Sequence, residues 1–185
     1  MGRNLRLGLE WISGSSDKAD AYRKAVEQMR YAAERERSAA ASIAQIHPSS
    51  AALSAAIAQS VAERETQALR EIDAHFRAVT RSGPPAARAQ DATERELVAM
   101  RPAVTGGPKE YLTGRNNIAG VTGLHGLMGF ELLNLVDGRR SGLEIYRYLA
   151  AEAREAGDHY FGVVTPAAVL QYLKNARAAG MIRTQ

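Results

Sequence analysis

The chain has 185 residues, 45% of them hydrophobic and 24% charged, so it can bury a core as one domain or as two small ones. It contains no cysteine, which excludes disulfides, thiolate zinc sites and cysteine nucleophiles. The formal net charge of +4 is a small excess spread along the chain. The apolar stretch within residues 1–11 is too short and too interrupted for a signal peptide or a membrane-spanning helix. We therefore expect a soluble chain without membrane association, cytoplasmic by default.

Two long amphipathic helices are predicted in the N-terminal half. Apolar side chains recur at helical spacing from Asp17, a plausible N-cap, to Ile46, and again from Ala51 to Thr80. The short break between the two runs, residues 47–50, favours an antiparallel helical hairpin over residues 1–81. The hairpin could be a scaffold only, or it could form a homodimer, because two helices cannot bury all their apolar surface alone.

A glycine-rich connector is predicted over residues 82–126. A phosphate-binding loop is not indicated there, because no lysine followed by serine or threonine closes a glycine loop and no GxGxxG opens a helix after a strand. We expect an ordered but irregular segment anchored by a few apolar side chains. These are Tyr111, Leu112, Ile118, Val121 and Leu124.

Three short helices are predicted over residues 127–185, because turn and capping residues divide this stretch clearly. In chain order these residues are Asp137-Gly138, Ser141, Glu144, Gly157, Thr165-Pro166 and Gly180. Ser141 and Glu144 form a capping box, and Pro166 suits the first position of a helix. The glycines suit helix ends.

A minor β element completes the predicted fold. Tyr160 to Val164 has strand-like composition and could pair with the short extended end after Gly180. The fold class expected is therefore mainly α: a long antiparallel hairpin, an irregular glycine-rich connector and a small winged-helix-like three-helix domain. Such domains usually bind nucleic acid, a peptide or a neighbouring domain.

DNA binding is an alternative that the charges disfavour. The predicted third helix offers residue types that read base edges, namely Gln171, Lys174, Asn175 and Arg177. Residues 126–185, however, hold seven Lys and Arg against six Asp and Glu, whereas DNA binding needs a concentrated positive face. A DNA-binding regulator that dimerises through the hairpin therefore stays an alternative function.

Two stretches of the C-terminal part resemble a known family. They are the block Phe130 to Ser141, followed by Glu144-Ile145, and the Leu-X-X-Ala-X-X-Ala-Gly-Met-Ile cadence that ends at Ile182. They resemble the accessory region at the C-terminus of some bacterial zinc aminopeptidases of the di-zinc, glutamate-carboxypeptidase-like kind. The block is also similar to the winged helices that act as peptide chaperones in pyrroloquinoline quinone biosynthesis. The resemblance implies a non-catalytic accessory module that docks on a peptidase domain or binds a peptide.

The chemistry of that family does not carry over to this chain. Such peptidases hold two zinc ions among His, Asp and Glu ligands, but the four histidines here are widely separated and lack ligand spacing. We therefore predict no enzyme and assign no catalytic, metal or cofactor residue. Any zinc would belong to a catalytic domain absent from this chain, and a truncated metallopeptidase is the other alternative.

Five residues are predicted to contact a protein or peptide partner. Arg139 and Arg140 follow the Asp137-Gly138 turn, and neither turn nor cap requires two adjacent arginines. They could bind a carboxylate of the partner bidentately, or be solvated loop charges. Asn134 could end a helix or contact the partner, and Gln171 and Lys174 lie on the predicted third helix.

Overall fold

A computed structural model describes residues 1–157 and 161–184. The described part is mainly helical and contains a small two-stranded antiparallel sheet, so the predicted mainly-α fold class is confirmed. In this part of the chain, no helix combines the length and the apolarity that crossing a bilayer requires. The chain divides into two compact units, Met1–Ala87 and Arg88–Gln185, each with its own hydrophobic core.

The first unit contains the predicted hairpin. Its helices are α1 (Gly2–Gly14), α2 (Lys18–Ile46) and α3 (Ala51–Thr80). Helices α2 and α3 pair antiparallel: the Ser54 hydroxyl donates to the Ala40 carbonyl at 2.7 Å, and the Arg37 guanidinium donates to Glu65 at 2.6 Å. The bounds of both helices agree closely with the apolar periodicity.

Helix α1 goes beyond the predicted hairpin and adds a third helix to it. It runs antiparallel to α2, because the Met1 ammonium bonds Glu36 at 3.0 Å while Lys18 donates to the Ser13 carbonyl at 2.7 Å. The core shared by the three helices consists of Ile12, Ala21, Ala25, Met29, Ala68, Ile72 and Phe76. Helix α1 thus buries apolar surface that two helices leave uncovered.

The second unit surrounds a larger core. Its elements are α4 (Ala92–Ala99), β1 (Pro102–Val104), α5 (Pro108–Gly114), α6 (Gly126–Asn134), α7 (Gly142–Ala156), α8 (Pro166–Ala178) and β2 (Ile182–Thr184). The predicted capping box is present, because the Ser141 hydroxyl accepts from the Glu144 amide at 3.3 Å and Glu144 accepts from the Ser141 amide at 2.7 Å. Thr165 caps α8 by accepting from the Ala168 amide at 3.2 Å. The likeness of this unit to a winged helix stays a prediction.

The structure differs from the predicted irregular connector over residues 82–126. Residues 88–126 belong to the second unit, and α4 packs there against α7 and α8 with Leu97 fully buried. An Asp91–Glu94 capping box starts α4, but its eight residues are too few to show a clear apolar period. The expected anchors Tyr111, Ile118 and Leu124 do pack against the core, but the expectation is wrong for Leu112, which is 58% exposed.

The predicted partner of the terminal strand is wrong. β2 pairs antiparallel with β1, with Pro102 opposite Thr184 and Val104 opposite Ile182. Tyr160 of the expected partner lies outside the described residues. In the rest of that segment, Gly162 has a φ of +70°, which a strand does not adopt, and Val164 is buried in the core. The signal for β1 is weak, because it has three residues and begins with proline.

Packing of α1 on α2 depends on a glycine. A Cβ added at Gly8 would lie 2.9 Å from the Cβ of Ala25, which is not the end of a flexible side chain. Nothing lies within 4 Å of a Cβ added at Gly14 of the same helix. Gly8 therefore serves close helix packing, whereas Gly14 does not.

We expect Gly8→Ala to destabilise the first unit by about 1–3 kcal/mol, because the helices must move apart. Gly14→Ala is the matched control, and we expect it to be neutral or slightly stabilising because alanine favours a helix. The measurement is urea unfolding followed by the fluorescence of Trp11, the single tryptophan, which packs against this core. Equal midpoints for the two variants would contradict the role assigned to Gly8.

Candidate functional site

The turn that follows α6 uses Arg140 as a structural residue. Asp137 Oδ1 accepts from the backbone amides of Arg139 and Arg140 at 2.8 and 2.9 Å, and Arg140 Nη1 donates to Asp137 Oδ2 at 2.8 Å. The Arg140 guanidinium also lies 5.1 Å from the ring centroid of Tyr148. Arg140 therefore has a structural contact within the turn that the sequence did not indicate, and its contact with a partner stays a prediction.

Arg139 has a different environment from its neighbour. Its backbone carbonyl accepts from Arg101 Nη1 at 2.8 Å, which ties the turn to the segment before β1. Among residues 1–157 and 161–184, no hydrogen bond or ion pair engages its guanidinium, and the residue is exposed. Of the two adjacent arginines, Arg139 is the one available to a partner.

Two carboxylates of this turn have lowered pKa values. Burial raises the pKa of Asp137, but the amides of Arg140 and Arg139 and the Arg140 charge outweigh it, so the net shift is downward. The pKa of Glu144 is lowered because the Ser141 amide and hydroxyl donate to it, against the opposing effect of burial. Both groups therefore stabilise the turn in their ionised form.

Asn134, the third predicted contact, is bonded within the second unit. Its side-chain oxygen accepts from the Tyr111 hydroxyl at 3.2 Å, and its amide nitrogen donates to Glu131 at 3.3 Å. Asn134 thus links the end of α6 to α5. This arrangement supports the helix-end alternative for Asn134, while contact with a partner stays a prediction.

Gln171 and Lys174 lie one turn apart on α8, and both are engaged. Gln171 donates to the Asn175 side chain at 2.9 Å, and Asn175 in turn donates to the Ala119 carbonyl at 2.9 Å. Lys174 forms an ion pair with Glu96 of α4 at 2.7 Å. The five predicted residues therefore do not converge on one site: the arginines share the turn, two residues share α8, and Asn134 joins α6 to α5.

The second unit contains a groove that none of the five predicted residues lines. It is open to solvent, has a volume of about 450 Å³, and is formed by α6, one residue of α8 and the turn after α5. Its lining residues are Arg115, Asn116, Gly126, Leu127, Phe130, Leu133 and Tyr172. We call this feature the α6 groove.

The α6 groove combines exposed apolar surface with a cation. Leu127 is 54% exposed and Phe130 is 38% exposed, although both are large apolar side chains. The guanidinium of Arg115 lies 5.2 Å from the Phe130 ring centroid, within the range of a cation–π contact. A Cβ added at Gly129 would lie 2.9 Å from the Tyr172 ring, so glycine lets α6 approach α8 closely beside the groove.

Two tyrosines beside the α6 groove keep their protons at neutral pH. Burial raises the pKa of Tyr172, and the neighbouring Tyr111 raises it further. Burial also raises the pKa of Tyr111, and Arg115 partly offsets that effect. Both phenols are therefore neutral: the Tyr111 hydroxyl donates to Asn134, and the Tyr172 hydroxyl can donate to a ligand.

A signal for the α6 groove is present in the sequence. Helix α6 is apolar on more than one face, because Met128, Leu132 and Leu133 are buried while Leu127 and Phe130 are exposed. Apolar residues of a helix are normally confined to the face that packs on the core, so Leu127 and Phe130 mark an apolar surface that the second unit leaves exposed. Arg115, which comes from an irregular turn, could not be placed beside Phe130 without the structure.

The histidines do not form a metal site with other ligands in the described parts of the chain. No group of three or more His, Asp or Glu residues there is arranged to hold a metal ion, so these residues do not fit zinc. His125 accepts from the Leu127 amide at the start of α6, and His75 bonds the Ser13 hydroxyl at 2.8 Å. His159 lies outside the described residues.

Comparisons with known proteins find no matching family model, no matching curated protein and no matching solved structure.

The two adjacent arginines give a matched pair of variants. We expect Arg140→Ala to lower the free energy of unfolding of the second unit by about 1 kcal/mol, because it removes an ion pair and a cation–π contact. Arg139→Ala should change it by less than about 0.5 kcal/mol, as for an exposed side chain. Amide hydrogen exchange of α7 measures both effects. Equal losses of protection would contradict the distinction between the two residues.

Ionisation of Asp137 gives a pH dependence. Because its folded-state pKa is lowered, its contribution is fully present above the ordinary value of 3.8 and is lost as the pH falls through the folded-state pKa. Asp137→Asn should therefore destabilise the second unit at neutral pH, and its difference from the wild type should shrink in acid below the ordinary value. Hydrogen exchange of α7 against pH tests this. Glu96→Gln, which removes an exposed ion pair, is the control and should have little effect.

Proposed function

We propose that the second unit is a non-catalytic binding module that holds a segment of a protein or peptide in the α6 groove. The observation that carries this proposal is the exposure of Leu127 and Phe130 beside the Arg115 cation. Phenylalanine and arginine are enriched at protein interfaces, and arginine is also enriched among the residues that dominate binding energy. Singly exposed apolar residues are common, but here they share one concave site.

The lining of the α6 groove favours an apolar residue next to an acidic one. Leu127 and Phe130 offer apolar area, and their burial by a ligand side chain would contribute about 25 cal/mol per Å². The Arg115 guanidinium lies 5.2 Å from the Phe130 ring centroid, and no ion pair engages it within the described ranges. It can therefore donate two parallel hydrogen bonds to a carboxylate. Asn116 adds an amide that can bond a peptide backbone.

The resemblance of the Phe130 to Ser141 block supports the same kind of function. It implies an accessory region that docks on a peptidase domain or binds a peptide, and two residues of that block, Phe130 and Leu133, line the α6 groove. The exposed Arg139 would add a second contact for a carboxylate of the partner. We propose no reaction and no cofactor for this chain.

The two alternative functions receive less support. DNA binding through α8 would need Gln171 and Lys174 to leave the partners that they already hold, Asn175 and Glu96. A truncated metallopeptidase would have its zinc ligands in another part of a longer protein. The binding-module proposal requires no such rearrangement, because the side chains that line the α6 groove already form a concave surface open to solvent.

We expect short peptides that contain an acidic residue next to a large apolar one to bind the wild-type chain. Leu127→Lys and Arg115→Glu should each weaken that binding by about tenfold or more, which is the size of an interface hot spot. Val98→Lys in α4 is the matched control, because Val98 is 39% exposed and does not line the α6 groove. The measurement is fluorescence anisotropy with labelled peptides from a random-sequence array.

Two results would contradict this proposal. One is peptide binding that Leu127→Lys and Arg115→Glu leave unchanged. The other is a salt-dependent shift of duplex DNA by the wild type without any peptide binding, which would support the regulator alternative.

A further inference from the structure

The end of the hairpin in the first unit carries no charged side chain. Residues 38–62, named here the hairpin tip, contain no Asp, Glu, Lys or Arg, whereas charged residues make up 24% of the chain. The nearest charged residues on either side of the hairpin tip are Arg37 and Glu63. Arg37 forms ion pairs with Glu34 and Glu65 at 3.2 and 2.6 Å. Helix faces that remain in water are normally charged or polar. The composition of the hairpin tip is that of a covered surface.

Three large apolar side chains of the hairpin tip are nevertheless exposed. Ile46 is 79% exposed, Leu53 59% and Ile43 42%. The hydrophobic core of the first unit ends before this region, because none of its clustered residues lies within 38–62. The hairpin tip therefore has apolar surface that the first unit does not cover.

Ile43 and Ile46 continue the face of α2 that α1 covers nearer the base of the hairpin. Ile43 follows Ala25 by 18 residues and Ile46 follows Gln28 by 18 residues, which is five full turns of an α-helix. Gln28 bonds Asn4 of α1 at 3.3 Å, and Ala25 contacts Gly8 of the same helix. The two isoleucines therefore lie on the same side of α2 as α1.

Helix α1 does not reach the two isoleucines. Its first turn lies at the level of Glu36, since the Met1 ammonium bonds that carboxylate at 3.0 Å. Ile43 lies two turns farther along α2 than Glu36, a distance of roughly 10 Å. The face of α2 against which α1 packs therefore continues beyond the end of α1.

We propose that a second copy of this chain covers this face, so that two hairpin tips pack into a four-helix arrangement around a two-fold axis. A two-fold axis near Ile43 and Ile46 brings each of these residues against its own counterpart, as in an isologous interface. The second copy supplies helices with the same uncharged, small-residue surface, which suits close antiparallel helix packing. This association is separate from the α6 groove and does not depend on its ligand.

Charge and composition favour a copy of the chain over other partners. A foreign protein partner is normally recognised through aromatic and arginine side chains, and residues 38–62 contain neither. Helices that lie on a membrane surface carry basic residues on the polar face and often Trp or Phe on the other, and these too are missing from the tip. A neutral surface is complementary to itself, because no like charges meet across a two-fold axis.

The size of the face predicts a reversible dimer. The tip contains about two turns of α2 and three of α3, and the two helices together are about 20 Å wide, which gives on the order of 300 Å² of flat area per copy. Stable interfaces bury about 800 Å² of accessible surface per partner, so this contact is at the weak end. Association should therefore depend on concentration and not be obligate.

Sedimentation velocity of the full chain from micromolar to millimolar concentration tests the proposal. The wild type should shift from monomer to dimer, and Ile43→Lys with Ile46→Lys should weaken the association at least about tenfold, because buried lysines would face each other. Val79→Lys is the matched control in α3, since Val79 is 39% exposed and lies outside the tip. Trp11 fluorescence verifies that the variants keep the folded first unit.

Cross-linking adds a test that needs no charge substitution. The chain has no cysteine, so Ile46→Cys introduces the single thiol of the molecule. Near the proposed two-fold axis, this variant should form a disulfide-linked dimer under mild oxidation at least about tenfold faster than Leu112→Cys. Leu112 is a suitable control because it is 58% exposed and belongs to the second unit.

Three results would overturn the proposal. The first is a wild type that stays monomeric at all concentrations, and the second is equal cross-linking of the two cysteine variants. The third is binding of a monomeric wild type to phosphatidylcholine vesicles that the double lysine variant loses, which would assign the hairpin tip to a lipid surface.

Discussion

The second unit depends on backbone hydrogen bonds made in two directions by the segment from Met100 to Thr105. On one side this segment forms the ladder with β2, and the Thr105 amide donates to the Met181 carbonyl at 3.0 Å. On the other side its carbonyls accept from the turn after α6: Gly138 donates to Pro102 and Gly142 donates to Met100, both at 2.9 Å. The turn after α6 and strand β2, from the middle and the end of the unit, therefore both bond to this one extended segment near its start.

These backbone hydrogen bonds explain the conformation of the turn after α6, which contains Arg139 and Arg140. Asp137 forms an isolated β-bridge with Ala103 and also organises the amides of Arg139 and Arg140, so one aspartate joins the turn to the sheet. The Arg101 side chain closes the same arrangement by bonding the Arg139 carbonyl. Arg140 is held by this arrangement, while Arg139 is exposed to solvent. Of the two adjacent arginines, Arg140 therefore stabilises the turn, and Arg139 is available to a partner.

Features of the fold that depend on local signals could be predicted from the sequence. The caps at Asp17, Ser141 and Thr165 follow from side chains that bond an amide three residues away, and the long helices follow from apolar spacing. The pairing of β1 with β2 joins residues about 80 positions apart in a ladder of three residues, and no local pattern specifies such a contact. Helix α4 was missed for a different reason: its Asp91–Glu94 capping box is a local signal, but its eight residues with one fully buried leucine, Leu97, do not show an apolar period.

The candidate site was less accessible from the sequence than the fold. Exposed functional residues have no periodicity, so Gln171, Lys174 and Asn134 could be chosen only by residue type, and each of them already has a partner in the unit. The α6 groove arises from a contact between Arg115 and Phe130 across an irregular stretch, which only the structure brings together. Its one sequence signal is an excess of apolar residues on α6, and the same kind of signal, an excess of uncharged ones, marks the hairpin tip.

The two surfaces would act together if both are used. A dimer formed through the hairpin tips carries two α6 grooves, whatever the arrangement of the units within each chain. A ligand that presents two acidic-apolar segments could then occupy both, and the second binding step would be intramolecular with a raised effective concentration. Weak contacts at each surface are compatible with strong overall binding in that case, since avidity does not require any new contact. In such a module, neither the dimer contact nor the binding of one segment in one α6 groove has to have a high affinity by itself.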